Sequence, residues 1–154
     1  MYQHILVPTD GFALADHAVG VAIELAQALA ARLTVVYAIP EYSPTGDLLF
    51  PAMFAPSRDE YESRAAREVD LIFHPVVDAC VAAGIEYAVV WGYQNRPHRL
   101  ILEAAKERGC DLICMASHGR NGVGALILGS ETQKVLALGP LPVLVVRAPD
   151  TDLD

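Results

Sequence analysis

Apolar residues along this chain follow two alternating rhythms. Five short runs are rich in β-branched side chains and almost continuously apolar: 4–7 (HILV), 33–39 (LTVVYAI), 85–91 (IEYAVVW), 111–116 (DLICMA) and 142–147 (PVLVVR). A strand wetted on one face alternates apolar with polar, whereas a strand covered on both faces reads like these. Between the runs the period changes. Ala15, Ala18, Val19, Ala22, Ala26, Leu29 and Ala30 recur at helical spacing, as do Leu100, Ile101, Ala104 and Ala105. A third helix is predicted over 58–83 with Tyr61, Ala65, Val69, Ile72, Val76 and Cys80 inward. Pro75 should kink or break it for want of an N–H, and Gly84 should end it. The last helix is predicted to start with Ser130 as N-cap and Gln133 three positions on, the spacing of a capping box, and to end near Gly139 and Pro140.

Strand–helix–strand repetition with right-handed connections predicts an α/β sandwich of three layers around a five-stranded parallel sheet. The length of 154 residues suits one domain, over 1–148, with 149–154 as a short tail. Residues 40–57 hold four prolines and read as a long loop. Ligands of such sheets settle beyond the carboxyl ends of the strands, where the winding direction reverses. Two loops therefore stand out: 8–11 (PTDG) after the first strand, and 115–132 (MASHGRNGVGALILGSET) after the fourth.

Charge and composition narrow the partners. A net charge of −8 gives no basic face for nucleic acid or anionic lipid. No apolar run approaches the length of a bilayer span, and no N-terminal secretory pattern is present, so the expected setting is cytoplasmic. Cys80, Cys110 and Cys114 have no CxxC spacing and read as free, core thiols. A nucleotide is still compatible with the acidic balance, because backbone N–H groups hold phosphate without side-chain charge.

Several residues carry candidate chemistry, each with a plainer reading. Asp10 ends the first strand, where its carboxylate can accept from a ribose hydroxyl or a base amino group, or else form an Asx turn before the first helix. Gly119 and Gly129 let successive N–H groups face an anion, and Ser130 adds a hydroxyl at a helix start; alone, these are a turn and an N-cap. Thr132 is a further donor in the first helical turn, whereas Glu131 must point away from any phosphate. Arg120 meets a terminal phosphate or is solvated. Gly122 and Gly124 form no dinucleotide fingerprint, since G-x-G-x-x-G fails at Ile127, and no Gly-Lys-Ser/Thr exists for a P-loop. His118 is a loop histidine with no triad partner evident from the sequence, and His4, His17, His74 and His98 give no metal spacing. The apolar 125–128 segment (ALIL) reads as packing on the last helix or at a subunit contact.

Taken together, ILVPTDG at 5–11 and the distal spacing Ala116-x2-Gly119-x9-Gly129-Ser130 resemble a universal stress protein domain across nearly the whole chain. The family pattern is G-x2-G-x9-G followed by Ser or Thr, so Ala116 stands where its first glycine would be. The loop between Gly92 and Pro97 is about three residues longer than the family's G-x-P join. The resemblance implies an adenine nucleotide alpha hydrolase-like (Rossmann-like) fold with strand order 3-2-1-4-5. It further implies ATP as ligand, with Mg²⁺ left open, and a homodimer through the last strand. The implied nucleotide-binding set is Pro8, Thr9, Asp10, Ala38, Met115, Ala116, His118, Gly119, Arg120, Gly122, Gly129, Ser130, Glu131 and Thr132, with Pro8, Thr9 and Ala38 as walls of the adenine pocket. The implied role is a nucleotide-dependent stress-response regulator with a partner the sequence does not name. Two alternatives stay open: an interaction module of the same fold without nucleotide, and a slow ATPase using His118.

Overall fold

Residues 4–8 make the middle strand of a sheet because they tolerate burial from every side: Ile5, Leu6 and Val7 expose no surface. The computed structural model describes residues 1–44, 55–118 and 128–148. Its elements are β1 (His4–Pro8), α1 (Ala13–Leu29), β2 (Arg32–Ile39), α2 (Arg58–Ala83), β3 (Tyr87–Tyr93), α3 (Pro97–Arg108), β4 (Leu112–Ala116), α4 (Ser130–Leu138) and β5 (Val143–Val146). The sheet runs β3-β2-β1-β4-β5 and every neighbouring pair is parallel, which is the predicted fold class and strand order.

Alternate side chains of the strands enter two separate cores. Ile5, Val7, Leu33, Val35, Tyr37 and Cys114 pack against Ala18, Ala22 and Ala26 of α1 and Val69, Phe73 and Cys80 of α2. Leu6, Val36, Ile113 and Met115 pack on the opposite face against Ile101, Ala104 and Ala105 of α3 and Val135 of α4. Each aliphatic side chain so buried contributes about 1.5–3 kcal/mol. The small residues of α1 let that helix lie close on the sheet. At the amino edge, the Asp111 carboxylate accepts from Gln3 N–H (2.8 Å) and His4 N–H (3.0 Å), tying the start of β1 to β4. Burial raises the Asp111 carboxyl, but those amides outweigh it and hold the group below its ordinary value. Cys80, Cys110 and Cys114 are free and buried, as expected, and burial pushes the Cys114 thiol up to about 11.

Four local features differ from the sequence expectation. α2 continues through Pro75; the proline and Leu71, whose carbonyl loses its i+4 donor, are both on the exposed side, so the loss does not fall within the core. The capping box belongs to α2, where Ser57 Oγ accepts from Glu60 N–H and Glu60 Oε2 accepts from Ser57 N–H. α4 is instead capped by Gly129, with Ser130 already its first residue, and Gln133 Nε2 donates to the Leu128 carbonyl. Finally, β3 is an edge strand that alternates between exposed and half-buried, because Tyr87, Val89, Trp91 and Tyr93 extend beyond the cover of α2. β5 is the other edge, as predicted.

Gly139 follows α4 at a close approach to α3. A Cβ there would lie 2.7 Å from Leu102 Cδ2 and 2.7 Å from the Val135 carbonyl oxygen, which already accepts the Gly139 N–H. Gly139→Ala should therefore destabilise by about 1–3 kcal/mol. Gly20, inside α1 with nothing within 4 Å of its own added Cβ, is the control: Gly20→Ala should stabilise by about 0.5–1 kcal/mol. Chemical denaturation of both variants reads the opposite signs.

Candidate functional site

The carboxyl ends of β1, β2 and β4 open on one edge of the sheet. β1 leaves the sheet through a short, well-bonded turn. Thr9 N–H donates to the Val36 carbonyl at 2.9 Å, Thr9 Oγ1 accepts from Gly11 N–H at 3.1 Å, and Asp10 Oδ1 accepts from Phe12 N–H at 3.0 Å. Gly11 sits at φ +76°, a conformation that side chains with a Cβ rarely adopt, and its would-be Cβ faces Ile72 at 3.1 Å. The turn thus fixes Asp10 through one carboxylate oxygen. The Asx reading of Asp10 is therefore realised, and Oδ2 has no partner among the described residues.

Beside this turn is a cavity of about 760 Å³. Asp10 and Ala38 line it, together with Phe12, residues 39–43, Tyr61, Arg64, Ala65, Glu68 and Asn95. The α2 residues were not among the candidates, although 61, 64/65 and 68 follow the helical stripe that carries the α2 core positions. Tyr61 and Ala65 read as core positions on that stripe, and no motif marks Arg64 or Glu68 as lining a cavity. Tyr61 donates through its hydroxyl to the Pro40 carbonyl, Tyr37 donates to Glu68 Oε1, and the guanidinium of Arg58 stacks 4.9 Å over the Tyr42 ring. The longer loop after β3 reaches the rim, where Asn95 Oδ1 accepts from Glu41 N–H at 2.9 Å. Among the described residues the lining holds the carboxylates of Asp10, Glu41 and Glu68 against the guanidinium of Arg64, so it is rich in acceptors and unfavourable to a phosphate.

The second group of candidates gathers at the end of the neighbouring β4. Met115 is buried in the α3/α4-side core, and Ala116 is also buried. Ala116 offers its carbonyl to Thr132 Oγ1 at 3.0 Å, and Gly129 N–H donates to the Ser117 carbonyl at 2.8 Å. The Thr132 hydroxyl hydrogen and the Gly129 amide are therefore already committed inside the protein. Ser130 is exposed at the first position of α4, where the opening amides of the helix have no intrahelical acceptor. His118 Nδ1 lies 3.1 Å from the hydroxyl of Ser117, a contact absent from the sequence reading. Ser117 itself is buried and its amide donates to the Val146 carbonyl, so it belongs to the frame. Gly119, Arg120 and Gly122 lie outside the described residues, as do Gly124, positions 125–127 and the tail 149–154. Of the expected pocket walls, Ala38 lines the cavity but Pro8 and Thr9 do not, and no described residue of the β4–α4 segment lines it.

Glu131 points away from the start of its own helix. Its Oε2 accepts from the backbone N–H and ring Nδ1 of His98, each at 2.8 Å, and its Oε1 accepts from Lys134 Nζ at 2.7 Å. Burial raises this carboxyl, but the bonds from Lys134 and His98 outweigh it and place the group below its ordinary value of 4.5. Among the described residues, no three His, Cys, Asp or Glu side chains come together as a metal site, and no helix is long and apolar enough to cross a membrane.

A parallel sheet sandwiched between helices, with a cavity at the carboxyl edge beside the first-strand turn, defines a doubly wound α/β domain. Comparison with known proteins makes the class specific: residues 1–147 match the Universal stress protein family, and the chain belongs to it. It is 37% identical over 147 residues to the "Universal stress protein in QAH/OAS sulfhydrylase 3'region" of Thermus aquaticus, covering 96% of this chain and all of that protein. The structure of hypothetical protein MJ0577 from Methanocaldococcus jannaschii matches in fold with TM-score 0.79, 24% identity and coverage of 98% and 99% of the two chains. A universal stress protein crystallised in complex with cAMP matches with TM-score 0.64, 25% identity and coverage of 96% and 98%.

The Glu131 bonds predict an acid-sensitive contribution to stability. Its carboxyl titrates lower in the folded than in the unfolded chain, so the contribution is complete above pH about 4.5 and is lost as pH falls through the folded-state value. Glu131→Gln should cost about 1.5 kcal/mol at pH 7 and flatten the acid limb of a Tm-versus-pH curve, leaving the part due to Asp111 in place.

Proposed function

We propose that this universal stress protein binds an adenine nucleotide, ATP in the first instance, across the carboxyl edge of the sheet. The observation that carries the reading is the 760 Å³ cavity beside the Asp10 turn, with an acceptor-rich lining. An adenine amino group and ribose hydroxyls are donors that such a lining suits, and the phosphates would be turned towards the amino end of α4, where opening amides without an intrahelical acceptor and the exposed Ser130 favour negative charge. In this arrangement Asp10 Oδ2, Ala38, Thr9 and Pro8 serve the nucleoside. Ser130, the α4 amides and the Gly119–Arg120–Gly122 stretch serve the phosphates, with Met115, Ala116, Gly129 and Thr132 as the frame beneath and His118 at its side. Support from outside the chain comes from the related protein crystallised with cAMP.

Among the described residues no three His, Cys, Asp or Glu side chains gather closely enough to hold an ion, and Mg²⁺ enters the proposal only as the companion of the triphosphate. The role proposed is that of a nucleotide-tuned regulator, with slow ATP hydrolysis as the alternative. A cytoplasmic setting and a homodimer through β5 complete the reading. The edge position of β5 supports the dimer, as do the exposed Leu144 on it and Leu138 at the end of α4.

Protein purified without added ligand should release an adenine nucleotide on denaturation, detected by mass spectrometry. Asp10→Asn, which keeps an acceptor for Phe12 N–H but removes the charge, should weaken ATP about 10- to 100-fold by calorimetry. Absence of both co-purifying nucleotide and a calorimetric signal with ATP would favour an interaction module without nucleotide.

A further inference from the structure

We propose that His98 and Lys134 clip Glu131 away from the amino end of α4, and that this clip sets how strongly the site prefers ligands with more phosphate groups. The inference rests on the nucleotide reading above. An acidic residue in the first turn of a helix is drawn to that helix's own unpaired amides. Glu131 occupies such a place in α4, next to Ser130. If it folded back, it would cover the amides assigned to phosphate and set a like charge beside it.

The geometry prevents this. A carboxylate only accepts, so the His98 ring carries its hydrogen on Nδ1 and, with the backbone N–H of the same residue, grips Oε2. Lys134 grips Oε1. Oε2 is thereby held by α3, and Oε1 by Lys134 three positions further along α4. α3 gains from the same contact: its N-cap, Arg96, makes no side-chain capping bond, and Glu131 supplies one from another helix. His98 is itself buried, so the ring is held in place rather than free to follow the carboxylate. The bonds from Lys134 and His98 outweigh burial and hold the Glu131 carboxyl below its ordinary value, so its charge is redirected by the clip.

The test is a ligand ladder of ATP, ADP, AMP and adenosine, measured by calorimetry at one ionic strength. The proteins are the wild type, His98→Leu, Glu131→Gln and the double variant. Releasing the clip should weaken ATP about three- to tenfold, with progressively smaller losses for ADP and AMP and less than about twofold for adenosine. In the double variant, with no charge left to release, the ATP-to-adenosine ratio should return to the wild-type value or above it. Lys134→Met, at an exposed position, should give the same graded pattern at smaller size, and it decides the matter if His98→Leu fails to fold. Equal losses across the ladder, no loss at all, or a graded loss that persists in the double variant would overturn the clip while leaving nucleotide binding intact. A wild-type protein that binds none of the four ligands would overturn the nucleotide reading and the clip with it.

Discussion

β1 is bonded on one side to β2 and on the other to β4 while helices cover both of its faces, and this confinement organises everything around it. A strand so enclosed can hand the chain on only at its end. The last sheet bond, from Thr9 N–H to the Val36 carbonyl, is followed within two residues by a left-handed glycine. Asp10 is caught between these two constraints, so its position is dictated by sheet pairing and not by side-chain freedom. A carboxylate placed this way loses little conformational entropy when it meets a ligand.

The same reasoning applies at β4. Residues 117 and 129 are twelve apart in sequence, yet Ser117 O and Gly129 N are 2.8 Å apart and Thr132 Oγ1 bonds back to Ala116. These two contacts fasten the start of α4 to the end of its strand, so the helix terminus is located by the sheet. Because β4 adjoins β1, the two placements are not independent: both refer to one central strand. The Gly129 amide and Thr132 hydroxyl belong to this fastening, while Ser130 is exposed and the opening amides of α4 have no intrahelical acceptor.

Much of this was legible in the sequence, and the pattern of misses has a physical logic. Apolar continuity identified the buried strands because burial on two faces leaves no room for polar alternation; it failed at β3, where an apolar aromatic run such as Tyr87, Val89, Trp91 and Tyr93 sits at an edge that α2 does not fully cover. Capping chemistry misled at Ser130 because a glycine in extended conformation serves the same place with no side chain to announce it. The cavity's α2 wall escaped notice since Tyr61, Ala65 and Glu68 share the periodicity of core residues, and only the third dimension separates a stripe that fills a core from one that roofs a cavity. His98 and Glu131, thirty-three positions apart, have no sequence signal linking them; their meeting depends on how α3 and α4 cross beside the sheet.

That crossing explains how an acidic residue is tolerated at the one helix terminus where an anion is proposed to bind. Two helix starts, those of α3 and α4, lie close together, and one carboxylate is available between them. Were Glu131 to serve α4, the α3 start would remain without a side-chain cap and the exposed Ser130 would lie beside a fixed negative charge. Serving α3 instead satisfies an otherwise uncapped terminus, recruits the ring of a buried histidine as a second donor, and keeps the opening amides of α4 available. The preference is enforced by donor count: three N–H groups from two residues converge on Glu131 from the α3 side and from Lys134. Beyond Lys134, its own helix could offer it only the opening amides.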